Sequence, residues 1–273
     1  MICAFEGWND AGDAASGAAS FIAAQLDARR FAGIDPEEFY DFQSSRPRIA
    51  LAEGNERTIT WPTVEMFEAR APRANRDLVL VQGIEPSLKW RTFSTLVVDL
   101  AEALGVQIIV TLGALLADIP HSRPVAMTGF ASDPAMLTRL NLQPSSYEGP
   151  TGIIGVLHNA CARAGLPSAS IWASVPHYVA AASNPKASLA LVRKLESIVG
   201  VSVDVSELEL ASEEYERQIG LAVQSDPDIQ AFVERLERAT DEQRESLHPE
   251  SLPSGESLAR EFQRFLRQRG DGR

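Results

Sequence analysis

The chain is poor in cysteine, in lysine and in long apolar runs. No stretch of eighteen apolar residues occurs, so no membrane-spanning helix is expected. The N-terminus shows no basic segment, apolar segment and cleavage site in order, so no signal peptide is read. Two cysteines, Cys3 and Cys161, stand in 273 residues. They form no framework of spaced pairs, and they suit buried thiols in a reducing compartment. Together these absences point to a cytoplasmic location and to no membrane partner.

Basic charge is also scarce. Three lysines and 22 arginines face 37 acidic residues, for a net charge of −12. Residues 201–273 hold 17 acidic and 9 basic side chains, net −8, and the rest hold 20 and 16, net −4. A general nucleic-acid surface needs a basic stripe that releases counterions, so a nucleic-acid partner is excluded. The four histidines, His121, His158, His177 and His248, lack metal-ligand spacing with one another or with cysteine. There is no dinucleotide fingerprint, no Walker loop and no GxSxG elbow. No metal and no cofactor is expected.

What is present is an alternation of apolar runs and helical patterns. Leu78 to Gln82 reads as a buried strand that ends at Gly83. A helix from about Trp90 to Leu104 follows, closed by Gly105 as its C-cap. Val106 to Leu112 is the next strand, ending at Gly113. Strand, helix, strand with short links makes a βαβ unit with parallel pairing. Met1 to Phe5, Val125 to Phe130 and Ala169 to Val175 read as further strands. Arg48 to Leu51 and Thr58 to Trp61 flank a hairpin signal at Glu53-Gly54-Asn55-Glu56, and Val64 to Ala69 is another candidate. Helices are expected at Asp13 to Ala28, Asp133 to Leu140, Gly152 to Ala164 and Pro185 to Val199. The fold class is α/β, with a mostly parallel central sheet flanked by helices over residues 1–200. From residue 201 to 273 the pattern becomes an acidic helical C-terminal segment. Its helices are expected at about Ser206 to Gln224, Pro227 to Thr240 and Ser254 to Gln268, broken at Asp226-Pro227 and from His248 to Pro253.

In open α/β sheets, ligands bind beyond the carboxyl ends of strands. Several polar residues fall there: Glu6, Asn9 and Asp10 after the first strand, Asp118 and His121 after Val106 to Leu112, and His177 after Ala169 to Val175. Tyr147 and Glu148 stand just before Gly149-Pro150-Thr151-Gly152, which opens a helix. These eight are the candidate ligand or functional cluster. A carboxylate beside a histidine can do acid–base work. The bland alternatives are as concrete. Asp10 or Asp13 can cap the helix that follows, Thr151 can cap its own helix, and an Asp-x-Pro turn with a solvated His121 and Arg123 needs no ligand. Trp8, Trp172 and Tyr178 can line a pocket or belong to the core.

Four stretches carry a resemblance: AFEGWNDAG (Ala4 to Gly12), TLGALLADIPHSRP (Thr111 to Pro124), YEGPTGI (Tyr147 to Ile153) and WASVPHYV (Trp172 to Val179). In order and spacing they resemble the bacterial, actinobacterial-type branch of the proteasome assembly chaperone family, across about residues 1–180. The resemblance implies an α/β core like that of nucleoside phosphorylases and related hydrolases. It implies self-association, as a ring of few subunits, and a protein-binding, chaperone-like role with proteasome subunits or other proteins as partners. The alternative is a small-molecule-binding or hydrolytic enzyme that uses the strand-end cluster. Two departures stand out. The family's first strand has a longer lead-in than Met1 gives it here, which suggests an alternative start or a truncation. The end, Asp271-Gly272-Arg273, lacks the hydrophobic-Tyr-any tail through which eukaryotic and archaeal branches dock on proteasomes.

Overall fold

The structure, a computed structural model, describes residues 1–51, 56–71, 74, 76–179 and 183–247. The expected hairpin turn at residues 53–55, His248, the break that follows it, the helix expected at Ser254 to Gln268 and the chain end lie outside the described residues.

The strands are β1 (Ile2–Glu6), β2 (Arg29–Gly33), β3 (Arg48–Leu51), β4 (Arg57–Thr60), β5 (Val64–Ala69), β6 (Leu78–Ile84), β7 (Ile109–Ala117), β8 (Met127–Ala131), β9 (Gln143–Pro144) and β10 (Ser168–Pro176). The helices are α1 (Ala14–Gln25), α2 (Trp90–Ala103), α3 (Pro134–Arg139), α4 (Ile153–Ala164), α5 (Pro185–Val199), α6 (Ser206–Gln224) and α7 (Pro227–Leu247). One compact unit spans Met1–Ala222 and a second spans Val223–Arg273. Within the second, α7 is a charged helix that runs past the expected Thr240 to Leu247.

Among the described residues one sheet has the order β2-β5-β6-β1-β7-β10-β8-β9, and β3 and β4 form a separate ribbon. Its centre, β6-β1-β7-β10, is parallel throughout. Antiparallel pairs flank it, β5 on β6 and β2 on β5 at one side, β8 on β10 at the other. The fold is thus mixed α/β with a parallel middle. The crossover β6-α2-β7 joins parallel strands as expected, but the two are not neighbours: β1 lies between them and pairs with both.

Alternation along β1 shows why both faces must be covered. Ile2 and Ala4 enter one apolar cluster with Ala14, Ala18, Leu80, Leu112, Leu191 and Leu195. Cys3 and Phe5 enter the other, with Val81, Phe93, Val97, Ile153 and Leu157. So α1 and α5 cover one face, and α2 and α4 the other. Strands buried on both faces read as unbroken apolar runs, and that is how β1 and β7 look in the sequence. Small residues on α1, with Ala14, Ala15, Ala18 and Ala19 all buried, let that helix lie close to the sheet.

Two expectations change. The strand expected to stop at Gly113 continues to Ala117, because β10 pairs with it residue by residue from Ser168↔Ile109 to Pro176↔Ala117. Gly113 faces Trp172 in that register, and a Cβ on it would come within 2.7 Å of the indole. The glycine therefore makes room for a ring rather than ending a strand. The second change is β2, which the sequence did not announce. It is a largely exposed edge strand on β5, irregular between Arg30 and Ala32, and it lacks an alternating pattern.

Candidate functional site

The loop after β1 turns back onto the neighbouring strand. Asp10 bridges Ala114 of β7 in parallel fashion, and Ala114 N donates to Asn9 O at 2.8 Å. This fixes Asn9 and Asp10 at the sheet's carboxyl end, and both side chains are buried, at 1% and 5% exposure. Asp10 Oδ1 accepts from Ala15 N at 2.7 Å and Ser16 N at 3.2 Å, and so caps α1. Burial raises the Asp10 pKa above the ordinary carboxylate value, against the bonds from Ser16 and Ala15 that favour the charge.

Asn9 is held differently. Its Nδ2 donates to Glu85 Oε1 at 2.7 Å, and the same oxygen accepts from Ile153 N at 2.7 Å. Glu85, just beyond β6, thus serves as the acidic cap of α4, where negative charge is favoured. Thr151, expected to cap that helix, instead lies with its hydroxyl 3.4 Å from Gly152 O. Gly152 is wedged against this pair. A Cβ there would come within 2.2 Å of Asn9 Nδ2 and 2.6 Å of Glu85 Oε1.

Beside this floor lies a cavity of about 790 Å³. Its walls include Trp8, Leu115, Leu116, Phe130, Tyr147 and Trp172, with Asn9, Asp10, Asp13 and Thr151 as polar members. Trp8 is 64% exposed. Tyr147 donates its hydroxyl to Pro150 O at 2.9 Å, and Trp172 Nε1 donates to Ser170 Oγ at 2.9 Å. All four stretches that carried the resemblance contribute a residue to this lining.

The candidate residues therefore separate into groups. Asn9, Asp10 and Tyr147 share the cavity. Glu6, at the end of β1, is exposed, and its backbone O accepts from Glu85 N at 2.9 Å. Glu148 is exposed in the loop before α4. Asp118, His121 and His177 belong to a second group. Asp118 Oδ1 lies 2.9 Å from His177 Nδ1, with Asp118 82% exposed, so solvent screens the pair. His177 meets Tyr178 edge-on. The Tyr178 hydroxyl accepts from His121 N at 2.7 Å and pairs with His121 Nδ1 at 2.8 Å. His121 is buried rather than solvated. Lys186 Nζ donates to His121 O at 2.5 Å and Arg123 O at 2.8 Å, and forms an ion pair with Glu216 of α6. Asn184 caps α5 through Ala187 N at 2.9 Å and donates to Tyr215 at 3.1 Å. This second group ties the β7–β8 loop, α5 and α6 together.

Sequence reasoning missed Glu85 and Lys186. Glu85 could have been found by the rule that found Glu6, since it too follows a buried strand at its carboxyl end. Lys186 carries no such signal; it sits in the first turn of a helix opened by Asn184-Pro185.

The sequence profile of the PAC2 family matches residues 4–223. No curated protein sequence matches the chain. Among solved structures, the proteasome-assembly chaperone homologue of Mycobacterium tuberculosis is 43% identical, with a TM-score of 0.79 over 85% of this chain and 98% of that one. A PAC2 family protein from Streptomyces avermitilis is 45% identical, with a TM-score of 0.79 and the same coverage of both chains. PbaB of Pyrococcus furiosus, an archaeal proteasome activator, is 15% identical with a TM-score of 0.65 over 81% of this chain and 92% of that one, a likeness of fold alone.

Proposed function

The chain belongs to the PAC2 family, and on that premise we propose that it is a protein-binding, chaperone-like module resembling proteasome assembly chaperones. One observation carries this: the 43% identity to a proteasome-assembly chaperone homologue over nearly all of that chain. The surface agrees with it. The β3–β4 ribbon is exposed along its length, with Ile49, Leu51 and Ile59 more than half exposed. An isolated two-stranded ribbon is marginal in water, and exposed apolar groups of this kind suit a surface that meets other proteins.

Several finer readings belong to the same proposal. The partners are further copies of the chain, in a homo-oligomer, together with proteasome subunits or other proteins. Its place of action is the cytoplasm; among the described residues no helix is long and apolar enough to cross a membrane. Residues 1–200 serve as the α/β core, and 201–273 as an acidic helical segment with its own role. The competing reading is a small-molecule-binding or hydrolytic enzyme that uses the strand-end cluster, on an α/β core like that of phosphorylases and hydrolases. The division of that cluster into two separate groups favours protein binding.

The test mixes the purified full chain with separately expressed α- and β-subunits of an actinobacterial proteasome. Size exclusion with light scattering should show a complex with unassembled subunits. No complex with either subunit, together with an unchanged rate of proteasome assembly, overturns the proteasome assignment. A chain that stays monomeric at micromolar concentration overturns the homo-oligomer.

A further inference from the structure

One wall of the cavity is a flat aromatic platform. Gly113 alternates along β7 with Leu112 and Ala114, which enter the apolar cluster under α1 and α5. Its bare side therefore belongs to the face that α2 and α4 cover. Trp172, its partner in the β7–β10 register, lies over it. A Cβ on Gly113 would stand 2.7 Å from one atom and 2.8 Å from two others along one side of the indole's six-membered ring. Near-equal distances to successive ring atoms place that Cβ over the flat side of the ring, not at its edge. The indole thus rests on the sheet by one face, and its other face is turned away from the sheet. Thr151 and Gly155, at the start of α4, line the same cavity. Trp172 Nε1, bonded to Ser170 Oγ at 2.9 Å, holds the ring in place.

Three more aromatic side chains line the space, Trp8, Phe130 and Tyr147. Trp8 and Tyr147 are 64% and 65% exposed, and Tyr147 is tethered by its hydroxyl to Pro150 O. No Lys, Arg or His is among the described lining residues, while Asp10 and Asp13 are, and Glu85 stands behind Asn9. Aromatic faces carry negative charge density and attract cations. A phosphate or carboxylate would meet acidic neighbours here and no cation on the described walls. Partners for N–H groups are scarce as well. The Asn9 and Asp10 side chains are closed off in the floor, and Ser145 Oγ already accepts from Tyr147 N at 3.3 Å. A primary ammonium would give up its bonds to water with little in return. A quaternary ammonium has no N–H to satisfy and presents methyl groups to the rings, which is the cation that aromatic walls receive best.

We infer that this cavity is a binding site for a quaternary ammonium group, received on the free face of Trp172 with Trp8 and Tyr147 beside it and the exposed Asp13 as a counter-charge. The same chemistry can come from a small choline-like molecule or from a trimethylated lysine side chain. Neither uses the β3–β4 ribbon, so failure of this site leaves the protein-binding reading intact.

The experiment uses the full chain and isothermal titration calorimetry, with ligand-observed NMR as a second readout. The probes are choline, its neutral isostere 3,3-dimethyl-1-butanol, betaine, and N-acetyl-trimethyllysine methylamide. Choline or the trimethyllysine derivative should bind saturably and about tenfold or more tighter than the isostere, as cation–π contacts in a partly desolvated site give. Whichever of the two cations binds tighter identifies the source. Betaine, which adds a carboxylate to the same ammonium, should bind more weakly than choline. Trp172→Leu keeps an apolar side chain over Gly113 but removes the ring face, and should abolish the preference for the cation. Trp8→Leu, at an exposed position, should reduce that preference without altering folding. Equal binding of choline and the isostere, no saturable binding of either cation, betaine as tight as choline, or an unchanged preference in folded Trp172→Leu overturns the proposal. If Trp172→Leu does not fold, an unchanged preference in Trp8→Leu overturns it.

Discussion

Asn9 and Glu85, 76 residues apart in the chain, are joined by a 2.7 Å hydrogen bond, and Glu85 in turn receives the first backbone N–H of α4. One carboxylate oxygen thus locks the loop after β1 to the start of a helix on the opposite side of the chain's course. Gly152 fills the remaining space, and any side chain there must displace one of the two partners.

Gly152→Ala should therefore destabilise the fold by about 3 kcal/mol, as overpacking against a fixed contact does. Urea unfolding should show a lower midpoint with an unchanged slope. A midpoint within error of the parent protein would mean that Asn9 moves aside freely.

Glu85→Ala removes the shared acceptor and should cost about 2–3 kcal/mol, since Asn9 Nδ2 and Ile153 N both lose their partner. Glu85→Gln retains an oxygen at the same place and gives up the negative charge at a helix N-terminus, for about 1 kcal/mol. Equal losses in the two variants would assign the effect to charge alone.

Lys186→Met leaves two backbone carbonyls and the Glu216 carboxylate without their ammonium. With Lys186 15% and Glu216 38% exposed, solvent screens part of the ion pair, and a loss of about 1–2 kcal/mol is expected, mainly from the two carbonyls left without a donor. A double-mutant cycle with Glu216→Gln should show coupling of about 1 kcal/mol or more. Simple additivity of the two substitutions would sink this account.

His158 supplies a pH dependence. Burial lowers its pKa below the ordinary imidazole value, and its Nδ1 lies 3.0 Å from Ser168 Oγ. The folded state therefore holds the ring neutral where the unfolded chain would already bind a proton. Stability is fully present above the unfolded value and falls as pH drops through it. His158→Gln should flatten that part of the stability curve, measured by urea unfolding at several pH values. An unchanged slope would refute the linkage.

Cys3 and Cys161 are both buried free thiols. Burial pushes Cys3 up to about 12 and Cys161 up to about 11. Only the thiolate attacks a disulfide reagent. Both cysteines should stay unreactive toward a disulfide reagent at pH 8 until the fold opens, with rates that track unfolding across a urea series. Fast labelling of either under native conditions would contradict the packing around β1.

The parts of this architecture that were legible in the sequence share one property: a local pattern decides them. β1, β7 and β10 are apolar runs buried on both faces, and α2, α4 and α5 carry helical spacing with terminal glycines at positions 105, 165 and 200, all in the left-handed region. Asp133-Pro134 and Asn184-Pro185 announced helix starts correctly, and both caps are present. What escaped depends on distant pairing. β2 is an exposed edge whose existence rests on β5. The strand at Gly113 reads as ended until β10 is laid beside it. At the site, the strand-end rule found Asn9 and Asp10, yet no local signal tells that Glu85 completes them or that Asp118, His121 and His177 form a group of their own.

The place of β1 between β6 and β7 has a consequence for how the chain is made. Ile2–Glu6 leaves the ribosome well before Leu78–Ile84 and Ile109–Ala117, its two neighbours in the sheet. At about 5–20 residues per second, that interval is on the order of ten seconds. Throughout it, the apolar segment Ile-Cys-Ala-Phe is without the two strands it pairs with in the folded sheet. The sheet cannot close from its first strand outward; β6 and β7 must be delivered before β1 can slot between them. Non-local closure of this kind slows folding.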